Sequence, residues 1–337
     1  MTISVLEHSD VGMHSDPKVA VLVPCYNEGI SIGKVVEDFK LYLPKAEIFV
    51  YDNNSKDNTI EVARKAGAQV FSVPLQGKGN VIRRMFADID ADIYVLVDGD
   101  ATYDAKSAVR MIDQLLELRL DMVVGVRQHE QKEAYRAGHT WGNKLLTGCV
   151  RRIFGGKFSD MLSGYRVFSR RYVKSFPALA TGFETETELT VHALELRMPY
   201  GECVTPYFAR LEGSFSKLNT YRDGIRILRT IIKLYAVERP ILFYTLLAAL
   251  MMSLGVILAA PLLSEYLRTG LVPRIPTALL STGLVLNGMI FFIAGLILET
   301  VTMGRRELKR LTYLHHPAPV FAKSPSAVQE QATHANV

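Results

Sequence analysis

The chain has 337 residues, a net charge of +5, 49% hydrophobic and 22% charged residues, which is enough for one or two domains. The basic excess flanks long apolar runs, so it reads as a membrane feature and not as a nucleic-acid surface. Cys25, Cys149 and Cys203 stand far apart with no Cys-x-x-Cys pair, which favours free thiols over a disulfide framework or a zinc site.

Residues 1–16 are polar, lack periodicity and read as a flexible tail. They are neither basic nor apolar enough for a secretory signal, so the soluble part is expected to stay on the side of synthesis. Strands and helices then alternate. Strands are expected at 19–24, 47–51, 69–73, 93–97 and 122–126. Helices are expected at 30–43, 57–66, 80–90 and 106–118, with Gly67 placed to end the second. This alternation predicts a parallel sheet with helices on both faces. Past Gly138 the pattern loosens, with helices expected at 140–154 and 185–196. In 221–235, Ile225, Leu228, Ile231, Ile232 and Tyr235 recur at helical spacing between Arg222, Arg226, Arg229 and Lys233. A basic amphipathic helix of this kind suits a membrane interface, the plain alternative being a surface helix packed on the soluble domain.

Residues 241–263 and 275–298 carry no charge, and each exceeds the roughly 20 residues that cross a hydrocarbon core. Arg222, Arg226, Arg229, Lys233 and Arg239 precede the first run, and Arg305, Arg306, Lys309 and Arg310 follow the second. The connecting loop has only Arg268 and Arg274 with Glu265. The positive-inside rule then puts both termini in the cytoplasm.

Four loops follow four strands and should meet at one sheet edge, where open α/β sheets bind ligands. They read Pro24-Cys25-Tyr26-Asn27-Glu28, then Asp52-Asn53-Asn54-Ser55-Lys56-Asp57, then Gln76-Gly77-Lys78-Gly79-Asn80, then Asp98-Gly99-Asp100. Singly, each has a plain reading as a helix cap or tight turn. Together they offer an aromatic ring and acceptors for a nucleoside, a lysine for phosphate and two carboxylates for a divalent cation whose other ligands are phosphate oxygens.

These loops resemble the inverting family 2 glycosyltransferases of GT-A fold. Gly125-Val126-Arg127, Tyr135-Arg136, the run from Asp160 through Ser163-Gly164 to Arg166, Gly182-Phe183 with Glu188, and Ser216-Lys217-Leu218 narrow the resemblance to the polyprenyl-phosphate group, which includes dolichol-phosphate mannosyltransferase. The resemblance implies that Pro24, Tyr26, Glu28 and Asp52 border the nucleoside and that Lys78 approaches the diphosphate. It implies that Asp98 and Asp100 hold magnesium or manganese, with Asp100, Arg127, Arg136 and Lys217 catalytic. Arg127, Arg136 and Lys217, with Ser216 and Arg210, would receive the lipid phosphate, and Glu188 lies on the helix closing the acceptor side. Two positions depart from the pattern. Thr102 stands where relatives often carry a metal-site glutamine, and Arg210 fills the arginine place of the late loop only from a shifted position. No Ser-His-Asp set is evident, and His139 and His192 read as structural or solvated.

The expected architecture is α/β: a GT-A, Rossmann-like, mostly parallel catalytic domain at 17–218 after the 1–16 tail. A juxtamembrane amphipathic helix at 219–239, a two-helix transmembrane hairpin at 240–300 and a basic then disordered cytoplasmic tail at 301–337 complete it. The expected activity is inverting transfer of one sugar from a UDP- or GDP-linked donor to a polyprenyl phosphate at the cytoplasmic face of a bacterial inner membrane. The expected partners are the nucleotide sugar, the lipid acceptor and the bilayer, with no nucleic acid; a homo-oligomer and a monomer both stay open. The alternatives are the same fold acting on another membrane acceptor such as a glycolipid, or a non-catalytic membrane scaffold. Two spans offer too little protein to line the pore of a processive polymer synthase.

Overall fold

The computed structural model describes residues 16–129, 137–214 and 220–319. Tyr135, Arg136, Ser216, Lys217, the His139 side chain, residues 1–15 and residues 320–337 lie outside the described residues.

In chain order the elements are β1 (Val19–Cys25), α1 (Ile32–Tyr42), β2 (Glu47–Asp52), α2 (Thr59–Lys65), β3 (Gln69–Ser72), α3 (Lys78–Asp88), β4 (Ile93–Leu96) and α4 (Ser107–Glu117). They continue with β5 (Met122–His129), α5 (Ala137–Phe154), β6 (Arg166–Ser169), α6 (Arg170–Ser175), α7 (Thr185–Glu195) and β7 (Tyr200–Tyr207). Three helices follow: α8 (Thr220–Glu238), α9 (Pro240–Thr269) and α10 (Ile275–His315). The seven strands form one sheet in the order β3-β2-β1-β4-β6-β5-β7, in which β6 alone runs antiparallel to its neighbours.

The central strands are apolar on both faces because helices cover both. Side chains alternate across the pleat. Ala20, Leu22, Tyr94 and Leu96 pack with Val81, Ile82 and Met85 of α3 and Leu189 of α7. Val21, Val23, Ile93 and Val95 pack with Val35, Val36 and Phe39 of α1 and Met111, Ile112 and Leu115 of α4. The register sets Cys25 opposite Asp52 and Asp52 opposite Ser72, so the first three loops leave the sheet at one level. Val97 N–H donates to the Leu22 carbonyl at 3.0 Å, bringing Asp98 to the same edge.

Strands β6 and β7 were not expected from sequence. β6 is four residues long and opens on Arg166, which breaks an apolar signature, yet Arg166 is fully buried. Its guanidinium donates to the Ser163 carbonyl at 3.0 Å, Thr190 Oγ1 at 3.0 Å and the Glu186 carbonyl at 3.2 Å. β7 carries Gly201, Glu202 and Cys203 and reads as loop until it pairs with β5.

α9 and α10 are long and apolar enough to cross a membrane, and little of either is buried. They pack on each other through residues seven apart, Ala248 and Gly255 on α9 and Ser281, Gly288 and Gly295 on α10, while Thr302 one step further donates to the Val237 carbonyl of α8. Small residues let the backbones approach, as between helices in lipid. A methyl group at Gly288 would strike Met252, and Ser281 Oγ donates to the Gly255 carbonyl at 2.8 Å.

α10 continues past the apolar run through the basic residues and stays helical to His315. The charges beginning at Arg305 end an apolar run, but Arg, Lys, Glu and Leu are good helix formers. The extension returns to the sheet: Tyr313 Oη donates to Asp121 Oδ2 at 2.8 Å, and the Arg171 guanidinium lies 4.7 Å from the Tyr313 ring centre. The end of α10 thus docks on the sheet domain.

α8 divides its apolar residues between two faces. Ile227 and Ile231 are buried against Leu146, Val150 and Phe154 of α5. Ile225, Leu228 and Ile232 remain exposed on the other side. The expected single stripe is thus part packing face and part free apolar face.

Candidate functional site

The loops at the sheet edge are laced by their amides. Asn53 Nδ2 donates to the Val73 and Leu75 carbonyls, each at 2.9 Å, while its Oδ1 accepts from Gly77 N–H at 2.6 Å. Asn27 Oδ1 accepts from Lys56 N–H at 2.7 Å. Asn27 and Asn54 adopt left-handed φ values of 53° and 65°, which asparagine tolerates. These residues hold the loops together, leaving Asp52, Lys78 and the carboxylates after β4 to meet a ligand.

Asp52 is buried, and its Oδ2 accepts from Ser55 N–H at 3.1 Å. Its Oδ1 is buried and has no hydrogen-bond partner among the described residues. Pro24 and Tyr26 are half-buried at the same edge. Glu28 is buried, and Ser31 Oγ lies 3.2 Å from its Oε2 and 2.7 Å from the Gly99 carbonyl.

Lys78 opens α3, and its Nζ lies 2.5 Å from Asp98 Oδ1 and 2.6 Å from Glu186 Oε1. Burial disfavours this ammonium, but the attraction of Asp98 and Glu186 outweighs that and holds it charged above its ordinary range. Glu186 escaped the sequence reading. It lies on α7, whose first turns are fixed by Arg166, and only the folded chain brings it to Lys78. Its neighbour Glu188 does something else: its carboxylate accepts from Leu179 and Ala180 N–H at 3.1 and 2.8 Å, fastening the loop before α7.

Asp100 is buried between two donors. Thr102 Oγ1 donates to its Oδ1 at 2.6 Å, and Arg210 Nη2 lies 2.5 Å from its Oδ2. Burial and then the Asp98 charge raise the Asp100 carboxyl, while Arg210 and Thr102 pull it back. Ala101 follows with a left-handed φ of 57°, a strained backbone of the kind held at binding sites. Gly164 runs beneath Asp98, where a methyl group would collide with the carboxylate. Among the described residues no group of three or more His, Cys, Asp or Glu is placed to hold a metal. Asp98 and Asp100, the two carboxylates that follow β4, each carry a basic side chain, Lys78 and Arg210. Arg210, expected on the acceptor side, sits on Asp100 and 4.0 Å from Glu28.

Arg127, at the end of β5, is paired with Asp160: Nε and Nη2 donate to its two oxygens, each at 2.7 Å. The guanidinium lies 5.7 Å from the Tyr207 ring centre, and Tyr207 packs edge-on against Tyr103. Among the described residues two of the five guanidinium donors are thus used, both on Asp160. His192 is buried against Tyr172 and Phe176, 3.1 Å from Ser175 Oγ. Burial, then the Lys309 charge, pushes it down to about 3, so it is a neutral packing residue.

Comparison with known proteins places this geometry. The sequence profile described as Glycosyl transferase family 2 matches residues 20–176. Protein RfbJ of Shigella flexneri is 58% identical over 128 residues, which is 38% of this chain and 99% of that protein. A dolichyl-phosphate hexose transferase of Haloferax volcanii is 27% identical over 223 residues, covering 66% of this chain and 95% of that one. Among solved structures, glucosyl-3-phosphoglycerate synthase of Mycobacterium tuberculosis, in complex with Mn2+, UDP-glucose and phosphoglyceric acid, superimposes with a TM-score of 0.55 at 21% identity. That match covers 65% of this chain and 80% of the synthase.

Proposed function

The chain belongs to glycosyl transferase family 2, and from that premise we propose that it transfers one sugar from a UDP- or GDP-linked donor to a polyprenyl phosphate, with inversion, at the cytoplasmic face of a membrane. The observation that carries the reading is the meeting of Asp52, Lys78, Asp98, Asp100 and Glu186 at one sheet edge, with one buried acceptor there unsatisfied among the described residues. The lipid-carrier acceptor is supported by the dolichyl-phosphate hexose transferase among the relatives and by the two long apolar helices.

In this reading Asp52 Oδ1 accepts from the nucleoside and Lys78 moves onto the diphosphate. Asp98 and Asp100 would hold magnesium or manganese. The donor set fits: two hard carboxylates, now neutralised by Lys78 and Arg210, with diphosphate oxygens to complete a shell. The ion, when bound, supplies positive charge to the leaving diphosphate. Lys78 does the same from the protein, where the charge develops in the transition state. Arg127, with Arg136 and Lys217, holds the acceptor phosphate. An acceptor oxygen bonds to the anomeric carbon as the bond to the diphosphate oxygen breaks on the opposite face, which inverts the centre. The acceptor is already anionic near neutral pH, so orientation by guanidinium groups replaces a general base.

The test is a donor screen with purified protein, a short polyprenyl phosphate and mass detection of the lipid-linked sugar, with Asp100→Asn as control. One donor should give product, and the variant should lose roughly 100-fold or more of the turnover while staying folded. Near-normal turnover of Asp100→Asn at saturating metal, or no lipid product from any donor, would overturn the assignment.

A further inference from the structure

We propose that the protein has a second anion site, apart from the sugar-transfer edge, which binds the phosphodiester head group of an anionic bilayer lipid. This rests on the membrane reading above and not on the sugar chemistry.

The site is a cavity of about 340 Å³ where the end of α7, the start of α9 and the charged part of α10 meet. Its charged lining is Arg197, Arg239, Arg306 and Arg310 against Glu195 and Glu307, four positive and two negative. The Glu195 carboxylate is almost wholly buried and lies 2.7 Å from Arg306 Nε and 3.4 Å from Arg239 Nη2, which fixes those two cations in the wall. Arg239 Nε is buried and has no hydrogen-bond partner among the described residues. Arg197 and Arg310 are exposed and have no ion-pair partner among the described residues. Arg306 is held by Glu195, Glu299 and Glu238, so the donors in excess of the carboxylates are those of Arg197 and Arg310, and guanidinium forks match phosphate oxygens.

The level in the membrane follows from the chain. Arg239 directly precedes α9, and Ile241 N–H donates at 3.4 Å to Glu299, the first charge after the uncharged run of α10. Arg306 Nη1 reaches back to 3.9 Å from the same Glu299. The cavity thus sits just outside the apolar boundary, where head groups lie. The site is not the catalytic edge. Glu186 and Glu195 both lie on α7, nine residues and so roughly 13 Å apart along its axis. A lipid is favoured over free phosphate because the exposed apolar surface of α9 and α10 begins at this level, adding acyl contacts to the ionic ones.

The test uses the full chain in phosphatidylcholine nanodiscs containing phosphatidylglycerol, with bound lipid counted by native mass spectrometry. Arg197 and Arg310 are exposed and unpaired, so Arg197→Gln/Arg310→Gln should fold normally, with an unchanged unfolding temperature and unchanged sugar transfer to a short-chain acceptor. Each cation at an anionic surface is worth about fivefold, so the double variant should hold phosphatidylglycerol roughly 25-fold less tightly. Arg197→Lys/Arg310→Lys should keep most of the binding. Equal retention by the wild type and the Gln variant overturns the proposal. Displacement of the lipid by an equal concentration of inorganic phosphate also overturns it, by showing a free-phosphate site. Retention of phosphatidylglycerol by a protein that transfers no sugar would leave this site standing and sink the catalytic reading alone.

Discussion

Replacing Lys78 with methionine separates its structural role from its chemical one. Nζ is 2.5 Å from Asp98 and 2.6 Å from Glu186, with the Lys78 and Glu186 side chains 11% and 5% exposed. At an effective dielectric of about 20, each contact is worth about 6 kcal/mol before desolvation, which cancels most of it. Removing the ammonium strands the Glu186 carboxylate, a loss of about 3–5 kcal/mol for a buried partner. Asp98 is 29% exposed and solvent screens it, so it adds little. At about 3 °C per kcal/mol for a domain of this size, Lys78→Met should unfold roughly 10 °C lower at pH 7, read by scanning calorimetry in detergent. Lys78→Met/Glu186→Gln should recover most of the stability at pH 7 yet stay roughly 100-fold or more below wild-type turnover. If the double variant is as unstable as the single one, the Lys78–Glu186 pair is not what holds α3 to α7. If it turns over normally, Lys78 does not act on the diphosphate.

Other outcomes follow from separate parts of the molecule. Arg127→Ala should raise the acceptor KM by about tenfold or more through the lost charge-assisted bonds, with the donor KM nearly unchanged; equal rises for both ligands would move Arg127 to the donor side or to a purely structural role. His192 binds no proton when folded until about pH 3, whereas the unfolded residue takes one near 6.5. Stability should therefore fall by about 1 kcal/mol per unit as pH drops from 6.5 toward 3, and His192→Phe should flatten that slope in chemical-denaturation series; an unchanged slope would clear His192. Cysteines placed at Ser264 and Ser324 should react with an impermeant reagent in intact cells at the first position only, and the reverse pattern would invert the membrane orientation.

Chain order alone determined much of the fold and half of the site. The four-loop edge was legible because each strand is a short apolar run that ends on polar residues, and a parallel sheet delivers all such ends to one side. The apolar helices were legible because length and absence of charge are local properties. What the sequence could not decide lies in contacts between distant segments. Glu186 and Glu188 are two residues apart on α7, yet one faces Lys78 and the other ties down the 179–180 backbone. Only the packing of α7, held by the buried Arg166, assigns them. Asp160 was visible in a motif, but its bidentate hold on Arg127 was not. Arg210 carries no local sign that it will rest on Asp100, since it arrives from the loop after β7, a strand defined only by its pairing with β5. The charges after the second apolar run signalled orientation in a membrane. That they also continue the helix, bring Tyr313 to Asp121 and wall a cavity with Arg239 and Arg306 was decided by tertiary structure, because a charge pattern fixes which side of an interface a segment prefers and not which surface it docks upon.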